Sequence, residues 1–173
     1  MQNNFERCLD LVLKSEGGFS NHSQDPGGQT NLGVTRKVWE EWVGRESSEK
    51  EMRSLTKEQV APLYKAKYWM ACYGPQLPIG IDYMAFDAAV NMGVGRAIKL
   101  LQESIGCVPD GMIGPRTMQL IDQKKPYEII QAYSKRKIEF YEKLKTFPVF
   151  GKGWLNRVEH VRLNAIDMIG ESK

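Results

Sequence analysis

Between Gly17 and Gly33 the chain carries five glycines, one proline and a run of short polar side chains, a composition that cannot sustain a helix. On its N-terminal side Phe5, Cys8, Leu9 and Val12 recur at i, i+3, i+4 and i+7. That spacing predicts a helix near residues 4 to 15 with one buried stripe, and its end delivers Glu16. Gly17 and Gly18 supply the positive φ that closes such a helix. Further on, Pro26, Gly27 and Gly28 predict a small hairpin that returns Asp25 across from Glu16.

Everything after Gly33 reads as helical. Thr35 stands at the N-cap of a helix that opens with Arg36-Lys37-Val38-Trp39, and Thr56 and Gln59 have capping-box spacing. Pro62 is expected to kink or restart its helix before Tyr64, Tyr68 and Trp69. Asp82 caps a short helix through Asn91 that Gly93 ends, and because this helix is apolar nearly all round it is central. A tight Asp110-Gly111 turn leads to a helix with Pro115 at its first position. Two long amphipathic helices follow, one with Ile130, Tyr133, Tyr141 and Leu144 on a side, the other with Trp154, Val158, Val161, Ala165 and Met168. The expected fold class is therefore mainly α, with a small Gly-rich loop or β-hairpin after the first helix. Two lobes, residues 1–78 and 79–173, are expected to pack as one unit, with a cleft between the Gly-rich loop and the helix of residues 82–92.

A chain of 173 residues can bury a core without covalent staples. Its three cysteines, Cys8, Cys72 and Cys107, exclude a complete disulfide framework, and Cys8 falls on the apolar stripe of the first helix. Whether Cys72 and Cys107 pair is left open. Lys and Arg number 10 against 11 Asp and Glu in residues 1–86, but 14 against 10 in residues 87–173. A basic second half suits an anionic partner such as a bacterial wall, and nucleic acid is set aside because no recognition motif accompanies the charge. The start, Met1-Gln-Asn-Asn-Phe-Glu-Arg-Cys, lacks the pattern of a signal peptide, and no segment has transmembrane length. Synthesis in the cytoplasm as a monomer is the expectation.

Two carboxylates flanking a mobile loop are the equipment for acid and base work on an acetal. Glu16 suits the acid, since partial desolvation at the end of an apolar helix favours its protonated form. Asp25 suits the partner. Duller readings stand beside these. A Glu at a helix C-terminus opposes the macrodipole, which argues against a purely structural Glu16, whereas an Asp before Pro-Gly-Gly also serves as a turn former. His22 lies on the same loop, but with His160 the only other histidine and no ligand-spaced cluster, neither a metal nor a cofactor is expected.

The strings Glu16-Gly-Gly-Phe19, Asp25-Pro-Gly-Gly-Gln-Thr-Asn-Leu-Gly-Val-Thr35, Tyr68-Trp69, Leu77-Pro-Ile-Gly-Ile-Asp-Tyr83, Phe86-Asp-Ala-Ala-Val-Asn91 and Gly153-Trp-Leu-Asn-Arg157 together resemble the glycoside hydrolase family 108 muramidases, found as phage endolysins and in bacterial genomes. The resemblance implies a lysozyme-like helical fold and hydrolysis of the β-1,4 bond between N-acetylmuramic acid and N-acetylglucosamine in peptidoglycan glycan strands. It maps the catalytic Glu onto Glu16. The order Glu16, Asp25, Thr30 is also similar to that of phage-type lysozymes, in which the Asp and Thr hold the attacking water. Residues 100–117, with Leu100-Leu-Gln102 and Asp110-Gly-x-x-Gly-Pro-x-Thr117, resemble small helical peptidoglycan-binding modules. An endolysin made without an export signal would reach the periplasmic wall after release by a holin.

Asp87 and Asn91 stand four apart on the central helix. They either hydrogen-bond each other and nearby backbone or line the cleft, where with Tyr83 they are the candidate sugar contacts. Other classes stay open. A lytic transglycosylase or a chitinase-like glycosidase would use the same Glu, and a non-catalytic wall-binding or secretion-associated protein would need only the basic helical half.

Overall fold

The computed structural model describes residues 4–21 and 28–171. Among these the helices are α1 (Phe5–Glu16), α2 (Arg36–Val43), α3 (Glu49–Arg53), α4 (Lys57–Tyr64), α5 (Ile81–Met92), α6 (Val94–Ile105), α7 (Pro115–Asp122), α8 (Pro126–Glu142) and α9 (Phe147–Glu171). The strands β1 (Ser20–Asn21), β2 (Gln29–Asn31) and β3 (Val34–Thr35) form one antiparallel sheet in that order. The fold is mainly α with a small hairpin sheet after the first helix, as the glycine run predicts.

The chain divides into two compact units, one spanning Leu9–Lys67 and the other joining the chain up to Cys8 with everything from Tyr68 on. Trp69 packs in the larger unit, its ring 5.7 Å from Phe5 and 5.5 Å from Phe86.

In the smaller unit the predicted caps are present. Thr35 Oγ1 accepts from the Val38 amide at 3.3 Å, and Thr56 and Gln59 form a reciprocal capping box. The helix does not restart at Pro62: α4 continues through Pro62 to Tyr64, and a π-helical turn, Lys65–Trp69, follows it. A proline in the second turn of a helix loses one amide bond and crowds the carbonyl four residues before it, a local cost that leaves the helix unbroken here.

The larger unit is built round α5, whose residues Ile81–Ala89 are all buried. α6, α8 and α9 pack on it. Asp82 works from inside the first turn, where its Oδ1 accepts the amides of Gly80 (2.8 Å) and Tyr83 (2.7 Å) and Asn4 Nδ2 donates to the same carboxylate. Of the α9 stripe, Val158, Val161, Ala165 and Met168 are buried. All three cysteines are free thiols, Cys8 and Cys72 fully buried.

Candidate active site

Glu16 is the last residue of α1, half-buried, followed by Gly17 at φ 79°. Its stem rests on the turn that joins β2 to β3. Asn31 pairs with Val34, so the turn has two residues, Leu32 (φ 49°) and Gly33 (φ 74°), both left-handed. Two consecutive positive φ angles identify the mirror-image hairpin turn that matches sheet twist, and its first position favours Asn, Asp or Gly. Leucine there costs about 1–2 kcal/mol of backbone strain. The Tyr64 hydroxyl meets that cost in part, donating to the Leu32 carbonyl at 2.8 Å from a ring that is 1% exposed. Gly33 admits no side chain, since a Cβ there would lie 2.5 Å from Tyr64 Oη, 2.9 Å from Glu16 Cγ and 3.0 Å from Glu16 Cβ.

Thr30 occupies the central strand, paired with Ser20 on one side and Thr35 on the other. Directly paired residues share a sheet face, so three hydroxyl side chains form a row on one face. The opposite face, with Gln29, Asn31 and Val34, packs on α3. Asn31 Nδ2 donates to the carbonyls of Met52 (2.8 Å) and Arg53 (3.2 Å), and Gln29 Nε2 donates to Glu49 (3.2 Å). The Arg53 guanidinium lies 4.0 Å above the Phe19 ring, fixing the strand that leads away from Glu16. Asp25 and His22 lie outside the described residues.

The remaining candidates are in the larger unit. Asp87 has no exposed surface. Lys137 Nζ donates to its Oδ2 at 2.9 Å, and Arg157 donates to its Oδ1 through Nε (3.0 Å) and a terminal nitrogen (2.9 Å). Burial alone would raise this carboxyl, but the two cations outweigh it and hold the carboxyl below the ordinary aspartate range. Tyr83 is 2% exposed, so neither it nor Asp87 presents surface to a sugar in this conformation. Asn91 is exposed, and its amide bonds the Asp87 backbone carbonyl at 3.1 Å, the local alternative that its spacing allowed.

The Asp110-Gly111 segment is held by Gln102, which is fully buried. Its Nε2 donates to Asp110 Oδ1 (2.7 Å), the Met112 carbonyl (2.9 Å) and Thr117 Oγ1 (3.3 Å), while its Oε1 accepts from the Gly111 amide at 2.9 Å.

A model of the glycosyl hydrolase 108 family matches residues 9–93, and one of a predicted peptidoglycan domain matches residues 96–159. The solved structure of Brucella abortus SagA is similar over 97% of both chains, with 35% identity and a TM-score of 0.85. The chain belongs to glycosyl hydrolase family 108. No curated protein matches it. As a member of this family with an adjoining peptidoglycan domain, the chain is a glycoside hydrolase of peptidoglycan. Glu16, Asp25, Thr30, Gly33 and Tyr64 all fall in the hydrolase match, whereas Gln102, Lys137 and Arg157 fall in the other.

Sequence reasoning passed over Leu32, Gly33 and Tyr64, which the structure brings against the candidate residue Glu16. Tyr64 reads locally as a core aromatic after Pro62, and its bond to residue 32 is a tertiary fact. Gly33, by contrast, had a local signal, since a two-residue loop ending in glycine between short polar strands is a hairpin signature.

Proposed function

We propose that this family 108 enzyme is an N-acetylmuramidase that cleaves the β-1,4 bond on the reducing side of N-acetylmuramic acid, with Glu16 as the general acid. The observation that carries the reading is the seating of Glu16: an acidic side chain at the end of α1, half-buried, its stem fixed against a strained hairpin turn. Glu16 protonates the glycosidic oxygen as the bond to the anomeric carbon breaks. Asp25, with the Thr30 hydroxyl, orients a water and takes its proton, so the hydroxide completes the anomeric carbon and the departing sugar keeps the Glu16 proton. The assignment of Asp25 and Thr30 is supported by their order after Glu16 and by the place of Thr30 on the central strand beside that turn.

The same order, shared with phage-type lysozymes, supports a lytic role in which the enzyme attacks the wall once the inner membrane is breached. Cultures of a Gram-negative host expressing the protein should stay turbid until a membrane-permeabilising agent is added, and then clear. The central test is Glu16→Gln, which keeps size but has no proton to donate. It should lose on the order of a thousandfold in release of soluble fragments from sacculi while still pelleting with them. Release within about tenfold of the parent removes Glu16 from the acid role.

A further inference from the structure

We propose that Tyr64 is a positioning residue for Glu16, acting through the β2–β3 turn. The proposal rests on the reading of Glu16 as the acid and adds the device that holds it in place.

A leucine at φ 49° followed by a glycine at φ 74° is a turn the sequence does not favour at its first position, so something outside the turn must hold it. The Tyr64 hydroxyl holds it, donating to the Leu32 carbonyl at 2.8 Å. Tyr64 is buried and ends α4, so the donor comes from a fixed helix and not from a swinging side chain. The turn in turn carries Glu16. A Cβ built on Gly33 would meet the Tyr64 hydroxyl and the Glu16 Cβ and Cγ at 2.5 to 3.0 Å, so all three groups converge on one point above the glycine. The missing side chain lets the backbone serve as a floor for the Glu16 stem. Release of the Leu32 carbonyl frees the turn to relax toward an ordinary φ, and the floor moves with it. Displacement of a reacting group by about 1 Å costs roughly a hundredfold in rate.

The logic predicts a rescue. Glycine at position 32 adopts the left-handed conformation without strain, so with Leu32→Gly the turn no longer needs the tyrosine. The experiment measures kcat and KM on soluble glycan strands for the parent, Tyr64→Phe, the double variant Leu32→Gly/Tyr64→Phe and Glu16→Gln, with thermal unfolding on the same preparations. Tyr64→Phe should lower kcat roughly ten- to hundredfold with KM within about twofold, while remaining folded at the assay temperature. The double variant should recover to within about threefold of the parent kcat.

A Tyr64→Phe kcat within about twofold of the parent, a loss carried by KM, or a double variant no better than Tyr64→Phe overturns the proposal. The Glu16→Gln arm separates the two readings. If that variant is inactive while Tyr64→Phe behaves as the parent, only the positioning role falls. If Glu16→Gln is active, the acid assignment falls and the positioning role goes with it.

Discussion

Gly33 is the residue on which the site geometry turns. Replacing it with alanine imposes two costs at once: a positive φ that L side chains rarely adopt, and a Cβ pressed onto Tyr64 and Glu16. Gly33→Ala should lower stability by about 1–3 kcal/mol and activity per folded molecule more than tenfold, read by denaturant melts and fragment release together. Gly17 is the control, because it too has a positive φ, 79°, but a Cβ there meets nothing within 4 Å. Gly17→Ala should therefore show the stability loss without the crowding. Asp25 separates in a similar way. If it orients the water, Asp25→Asn should cost roughly a hundredfold in turnover with little change in melting, since asparagine keeps the turn chemistry, and Thr30→Ala should cost less. A variant that melts several degrees lower yet keeps its turnover would make Asp25 a turn residue only.

Among the elements, α5 carries two buried aspartates with opposite electrostatics. Asp87 is paired. Asp82 is held by the Gly80 and Tyr83 amides and the Asn4 side chain, and burial pushes its carboxyl up to about 6. A carboxyl raised in the folded state contributes stability that is complete below the unfolded value near 4 and lost as pH climbs through about 6. Asp82→Asn removes that titration, so its melting temperature relative to the parent should improve between about pH 4.5 and pH 7, the range set by these two values. A constant gap across that range would show that Asp82 stays ionised throughout. Much of α1, the Thr35 cap, the Thr56 capping box and the Gly93 stop were legible in the sequence, because each is written within a few residues by periodicity or cap chemistry. The course of the chain past Pro62 was not, since whether a proline kinks a helix depends on what else the turn is packed against. Nor were the Lys137 and Arg157 partners of Asp87, at separations of 50 and 70 residues, for no local pattern reports a buried ion pair.

For the molecule as a whole, the two family matches meet between residues 93 and 96, yet the packing does not divide there. Asp87 lies on one side of that border while Lys137 and Arg157 lie on the other, and removing the partners of a buried charge costs about 3–5 kcal/mol. α5 would also lose the cover of α6, α8 and α9. A fragment of residues 1–93, or of 96–173, should accordingly lack a cooperative thermal transition by circular dichroism, whereas the whole chain should show one; two fragments that each melt cooperatively would make the peptidoglycan domain an independent module. The most direct measurement of the central claim is mass spectrometry of the muropeptides released from purified sacculi by the parent enzyme, with Glu16→Gln alongside. A Glu16-dependent muramidase predicts fragments ending in reducing N-acetylmuramic acid from the parent and almost none from the variant. Anhydro-muramic ends, reducing N-acetylglucosamine ends, or equal release by both proteins would contradict it.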